Sequence, residues 1–436
     1  MSVMPSRLSR RGLLGLATAG AGAVALSACS GTGGGAAQGG DATKLQFWSN
    51  HPGSSKDIET QLLKDFEAQS EGVSVTLVDG GKSYEEVAQK FNAALSGGDL
   101  PDIVVVSDVT WFNFALNEQI TPLDDLFSAA GIDPADYVQP LYEDYTFKGK
   151  HYALPYSRST PLFYYNKDMW SKAGLPDQGP ESWEQMREWA DALKGKAGVD
   201  LAVATADGAN YLDWAFQGMI WSMGGAYSKD FTATFTDDNS VKTAQFLQEF
   251  AQSGLFGVSS DPAPVFAAGQ AAAAVQSTGS LKGTLDSAAG KFEVGTAFLP
   301  GPVGQSCPTG GAGLAIPAGI SDERKANALK AIGFLTNDTS TATFAEGTGY
   351  MPVRTKALES DTIKEYLAKV PQAQTAIDQL PHTKPQDAAR VFIAGGGKQI
   401  GGELDKLLGG ADATEIFSGL QDWAQPKLDE LAEKAK

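Results

Sequence analysis

Residues 103–106, IVVV, form an unbroken apolar run. A run that short, with no polar alternation, is the pattern of a parallel strand covered on both faces. The flanking sequence has the matching rhythm. Residues 44–48 read as a first strand. Ile58, Leu62 and Phe66 fall on one helical face, and Val73, Val75 and Leu77 alternate with polar residues as a strand does. Residues 84–95 read as a helix with Val87, Phe91 and Leu95 inward, stopped by Gly97 and Gly98. Strands alternating with helices imply βαβ units and a doubly wound α/β sheet.

The alternation resumes beyond residue 155. Pro161 fixes its own φ and disfavours helix at Thr160, and the aromatic-rich 162–165 reads as a short buried strand. Ser182 with Gln185 fits a capping box, and Trp183, Met186, Ala190 and Leu193 line one face of the following helix. Phe246, Leu247 and Phe250 mark another helix, while 271–275 fits a buried strand or a buried helix. A Pro/Gly break at 300–304 precedes Gly310–Gly313, which opens a short strand expected at 314–317. Residues 325–335 and the polar amphipathic tail 415–436 read as helices. Four hundred residues is too long for one compact core, so two domains are expected. Breaks near 155 and near 300–310 would let a lobe begun before the first resume after the second, although composition alone allows two sequential domains equally.

The N-terminus reads as an address. Arg7, Arg10 and Arg11 precede an apolar stretch, 12–26, too short and too rich in Gly and Ala for a membrane span. SRRGLL resembles a twin-arginine export signal, and LSAC, 26–29, resembles a lipobox in which Cys29 is acylated and becomes the new N-terminus. Residues 1–29 are therefore expected to be a signal with lipobox, and 30–43 a flexible tether reaching on the order of 20 Å. The formal charge is −18, and losing a leader with three arginines and no acid would make the chain more negative still. An acidic surface argues against nucleic acid and anionic lipid as partners, but leaves a small anion open. Cys29 and Cys307 are the only cysteines, and His51, His151 and His382 are scattered, so neither a disulfide framework nor a metal motif is expected. No cofactor is implied. A catalytic set is not visible either: there is no G-x-S-x-G elbow, and Cys307 has no histidine nearby.

Residues 156–170, YSRSTPLFYYNKDMW, carry a family resemblance. S-T-P followed by YYNKD resembles the crossover segment of the extracellular solute-binding proteins of ABC importers, the large sugar-binding type. Within that group the chain is most similar to the binders of glycerol-3-phosphate and glycerophosphodiesters. The resemblance implies a type II periplasmic-binding fold: two α/β lobes, expected at 44–155 with 308–335 and at 156–307 with 336–436, joined by hinge segments around a ligand cleft. It implies a monomer that performs no chemistry, is held by lipid at the outer face of the cell membrane, and delivers its ligand to ABC permease subunits. An oligosaccharide binder and an extracellular glycerophosphodiester hydrolase remain the alternatives.

Matched motif by motif, the resemblance places ligand contacts at Tyr84 in GKSYEEV, Asp108 after the 103–106 run, Ser159 in the crossover, and Ser277 in QSTGSL. Further contacts fall at Gly311 in PTGGAGL, Tyr350 in TGYMPV and Arg390 in DAARVF, with Trp214 in YLDWAFQG as an aromatic wall. The residue types are coherent with a glycerol ester. Ser159, Ser277 and Tyr350 can donate O–H groups, and Gly311 a backbone N–H, to phosphate oxygens. Arg390 supplies charge. Asp108 would be repelled by phosphate, so it should accept from glycerol hydroxyls or sit near a cation. Trp214 could face a quaternary ammonium.

Overall fold

The computed structural model describes residues 41–302 and 307–435. The signal expected at 1–29, Cys29, and the tether as far as residue 40 lie outside the described residues. Ten strands build two five-stranded sheets. In chain order they are β1 (Lys44–Ser49), β2 (Ser74–Asp79), β3 (Ile103–Ser107), β4 (Leu154–Ser159) and β5 (Pro161–Asn166), then β6 (Leu201–Ala206), β7 (Phe256–Ser259), β8 (Ala271–Ser277), β9 (Val294–Ala297) and β10 (Gly310–Ala315). The first sheet runs β2-β1-β3-β10-β4 and the second β7-β6-β8-β5-β9. In the first, β1 pairs parallel with β2 and β3, while β10 runs antiparallel to both its neighbours. In the second, β5 is the reversed strand, antiparallel to β8 and β9. All five residues of β3 are buried, as its apolar run requires.

The helices that matter to the site are α1 (Lys56–Gln69), α2 (Tyr84–Gly97), α3 (Leu212–Ser222), α4 (Asp322–Leu335), α5 (Asp338–Thr348), α6 (Ala388–Val391), α7 (Gly396–Leu408) and α8 (Ala413–Ala435). Leu62, Leu63 and Phe66 form the buried face of α1. Helix α2 starts where the Ser83 hydroxyl accepts from the Glu86 N–H, and it stops at Gly98, whose φ of 81° suits glycine. Helix α8 buries Phe417, Leu420, Ala424, Leu428 and Leu431 at helical spacing. The ambiguous alanine run is a strand, β8, hydrogen-bonded to β5 and β6 on its two sides. Alanine favours helix in isolation, but here pairing on both edges and burial on both faces decide the matter.

One expectation needs correction. The glycines at 310–313 do not precede a strand at 314–317; they are its first residues, since β10 runs from Gly310 to Ala315. Strand pairing bears on where the lobes meet. β4 continues in the first sheet to Ser159, with Gly310 opposite it, so the chain leaves that sheet at Thr160. Beyond residue 335 the chain stays with first-sheet elements as far as Arg354. Thr336 bonds the Tyr137 hydroxyl at 2.7 Å, Met351 pairs with Arg158, and Arg354 pairs with Tyr137. Turn signals mark where a chain bends, whereas these boundaries are set by which sheet edge the extended residues find.

Candidate functional site

A cavity of about 470 Å³ opens where the carboxyl ends of parallel strands from both sheets face each other, the position at which open α/β sheets take ligands. The loop after β1 contributes Asn50 and the end of β3 Ser107, Asp108 and Val109. The start of α2 brings Lys82, Ser83, Tyr84 and Glu85, and β4 and β10 bring Ser159 and Gly311. From the second lobe's elements come Ala209, Asn210, Tyr211, Trp214 and Arg390, and Tyr350 completes the wall. A larger outer chamber, about 950 Å³, shares Asn50, Lys82, Tyr84 and Tyr350 with it, so the cleft is continuous to solvent.

Seven of the eight expected contacts therefore line one cavity: Tyr84, Asp108, Ser159, Trp214, Gly311, Tyr350 and Arg390. Ser277 is not among its lining residues. Its hydroxyl accepts from the Gly279 N–H at 3.1 Å, capping the short turn after β8, and its carbonyl accepts from the Tyr164 hydroxyl.

One end of the cavity is a cluster of neutral hydroxyls. The Tyr84 hydroxyl lies 3.3 Å from both the Tyr350 hydroxyl and Ser157 Oγ. Burial pushes the Tyr84 and Tyr350 phenols above their ordinary value, so both are neutral donors near pH 7. Tyr350 is held flat against glycine: a Cβ at Gly279 would sit 2.6 Å from its ring. Gly311 serves the frame in a similar way. Its φ is +92°, a bulge separates it from Gly313, and a Cβ there would meet the Ser157 carbonyl at 2.0 Å. Its glycine is thus required by strand packing, before any ligand is considered.

The opposite end is charged. Arg390, on α6, donates from Nε to Asp213 Oδ2 at 2.6 Å and from Nη1 to Asp108 Oδ2 at 3.2 Å. Gln386, just before the start of α6, accepts from the same Nη1 and donates to Asp108 and to the Thr309 carbonyl. Burial opposes the charge on Arg390, and the two carboxylates more than offset it, so its pKa rises. Burial likewise pushes the Asp213 carboxyl up, with Arg390 pulling the other way. Behind this group Arg158 is paired with Asp144, whose carboxyl burial pushes up to about 6 against the pull of Arg158. From the resemblance, Arg390 is expected to supply charge to a ligand. In the structure its guanidinium is already committed to two carboxylates. Asp108 does sit near a cation, and that cation is Arg390.

The aromatic wall is rigid. Trp214 is 5% exposed, donates its indole N–H to the Thr309 carbonyl at 2.9 Å, and meets Tyr211 edge-on at 6.1 Å between ring centroids. Asp213, Gln386 and Ser157 escaped the sequence reading. Asp213 directly precedes Trp214 and Gln386 lies just before the start of α6, but a lone acid or glutamine carries no signal until the fold brings its partner within reach.

Residues 61–372 match the family model for bacterial extracellular solute-binding proteins. The chain belongs to that family. Members are extracytoplasmic binding proteins of ABC importers. The chain is similar to the sn-glycerol-3-phosphate-binding periplasmic protein UgpB of Pectobacterium atrosepticum, 28% identical over 385 residues, covering 84% of this chain and 86% of that protein. UgpB of Escherichia coli K12 is 27% identical over the same length. Among solved structures, UgpB from Mycobacterium tuberculosis, crystallised in complex with glycerophosphocholine, is 48% identical with a TM-score of 0.86, covering 89% of this chain and 99% of that one. The GacH receptor of Streptomyces glaucescens, 21% identical with a TM-score of 0.76, shares the two-lobed periplasmic-binding fold.

Proposed function

We propose that this family member captures glycerophosphodiesters, glycerophosphocholine foremost, and hands them to an ABC permease without chemical change. The observation that carries the reading is the 48% identical relative crystallised with glycerophosphocholine, together with seven expected contacts converging on one cavity here. The glycerol hydroxyls donate to Asp108. The phosphodiester takes O–H donors from Tyr84, Tyr350 and Ser159. The trimethylammonium rests against Trp214 and Tyr211 by cation–π attraction. Ser277 stands one shell back, where it braces the turn that carries Gly279 against Tyr350.

The lobes follow the two sheets, with 44–159 and 310–354 in the first and 161–297 with the C-terminal helices in the second. The crossing segments act as hinges, and closure around ligand forms the surface a permease recognises. The leader exports the chain by the twin-arginine route, and acylated Cys29 holds the monomer at the outer face of the membrane.

Titration calorimetry tests the ligand. Glycerophosphocholine should bind at least about tenfold tighter than glycerol-3-phosphate, a gap of about 1.4 kcal/mol, with no turnover on prolonged incubation. Preference for glycerol-3-phosphate would remove the diester assignment. Maltose binding with neither phosphate ligand bound would return the chain to the oligosaccharide binders, and release of choline would make it a hydrolase.

A further inference from the structure

We infer that Asp213, which no ligand is expected to touch, sets the charge class of the ligand by over-neutralising Arg390. Arg390 is buried and carries one positive charge, and it is held by two carboxylates, Asp108 at 3.2 Å and Asp213 at 2.6 Å. Gln386 adds a neutral acceptor to the same guanidinium. The cluster therefore presents one negative charge in excess to the cavity. The remaining charged lining residues, Lys82 and Glu85, oppose each other at the exposed mouth. Arg158 and Asp144 behind the cluster are also a balanced pair. Anything bound here meets neutral donors at the tyrosine end and a residual negative field at the arginine end.

Asp108 alone would leave the cluster neutral; Asp213 is the group that tips it. Its placement is built rather than incidental. It is 2% exposed on the first turn of α3, its carboxylate faces Gly397 on α7, and a Cβ at Gly397 would lie 2.6 Å from Oδ2. The absence of a Cβ at Gly397 is what lets α7 approach this carboxylate. A guanidinium does not release its proton, so Arg390 stays charged across the physiological range, and its contact at 2.6 Å favours the ionised form of Asp213 against the upward push of burial. A phosphodiester carries one negative charge and a phosphomonoester up to about two, its second pKa being near 6. The excess charge penalises the second, and like-charge juxtaposition in a closed cleft is a strong discriminator. Asp213 is therefore a positioning and specificity residue, acting through Arg390.

The inference rests on the glycerophosphodiester reading, and the test keeps the two apart. The probes are glycerol-3-phosphate and its methyl diester, which share the glycerol and lack choline, so they differ by one charge and one methyl. Calorimetry at about pH 8 keeps the monoester doubly charged. The wild-type protein should bind the methyl diester at least about tenfold tighter than the monoester. Asp213→Asn, which keeps the acceptor for Arg390 Nε, should narrow that ratio to within about threefold, mainly by strengthening the monoester. A merely structural role would shift both ligands by the same factor and leave the ratio in place, and that result overturns the inference while glycerophosphocholine binding still supports the function. Asp213→Cys is a second neutral variant, and either variant that folds decides. Failure of both to fold would make Asp213 a folding residue and overturn its role in specificity. If the wild-type protein binds no diester, both readings fall.

Discussion

Two buried arginines in this molecule hold carboxylates in different proportions, and the contrast separates a strut from a site. Arg324, on α4, meets one carboxylate: Nε and Nη2 reach the two oxygens of Asp102 at 2.7 and 2.6 Å. Its other N–H groups go to the carbonyls of Asp41 and Lys44, and Asp102 also accepts from the Gln46 N–H. Charge and hydrogen bonds balance, and neither residue lines the ligand cavity. Arg390 meets two carboxylates on different elements, carries an excess negative charge, and opens onto the cleft. A balanced, geometrically complete pair ties β1 and β3 to α4. An unbalanced one leaves a field for something else to answer.

The sharpest way to break the comparison is to remove one partner from the strut. Asp102→Ala leaves the Arg324 guanidinium buried without its counter-ion, and should destabilise the fold by about 3–5 kcal/mol. Urea unfolding measures it. A loss no larger than that caused by Asp108→Ala would erase the distinction between the two arginines.

A further carboxylate extends the series. Asp387 has no arginine; it accepts from the Trp221 indole and the Tyr227 N–H, and burial pushes its carboxyl up to about 6. A carboxyl raised in the folded state binds its proton more tightly there than in the unfolded chain. Its contribution to stability is therefore fully present below about pH 4 and is lost as pH rises through about 6, up to about 3 kcal/mol in all. Asp387→Asn should flatten that part of the profile. Chemical denaturation of both proteins at several pH values between 3.5 and 7.5 checks it, and parallel profiles would show that Asp387 titrates normally.

Asp108→Ala should act on binding more than on folding. Arg390 keeps Asp213, so the fold should lose about 1 kcal/mol or less, while the affinity for glycerophosphocholine falls by about 1.5–3 kcal/mol as ligand hydroxyls lose a charged acceptor. Calorimetry with unchanged affinity would take Asp108 out of the site. At the neutral end, Tyr84→Phe removes one of several hydroxyls and should weaken the same ligand by only about 0.5–1.5 kcal/mol. A larger loss than Asp108→Ala would reverse the ranking of the two ends.

Much of the scaffold was legible before any coordinates. The IVVV run, the 3.6-residue spacing in α1, α2 and α8, and the caps at Ser83 and Ser182 are local signals, and each element formed where its own residues direct it. The eight expected contacts rest on the family resemblance of their motifs, and seven of them line one cavity. Three things waited for the tertiary structure. The alanine run of β8 had no periodicity to read, and only pairing with β5 and β6 made it a strand. The crossover point at Thr160 depended on β10 finding β4 from far away in sequence, Gly310 pairing with Ser159. The charge state of the site depended on Asp213, Asp108 and Arg390 meeting from three separate elements. Backbone conformation is written in neighbouring residues, so a sequence declares it. Net charge at a point in space is a sum over residues distant in the chain, and only the closed fold performs that sum.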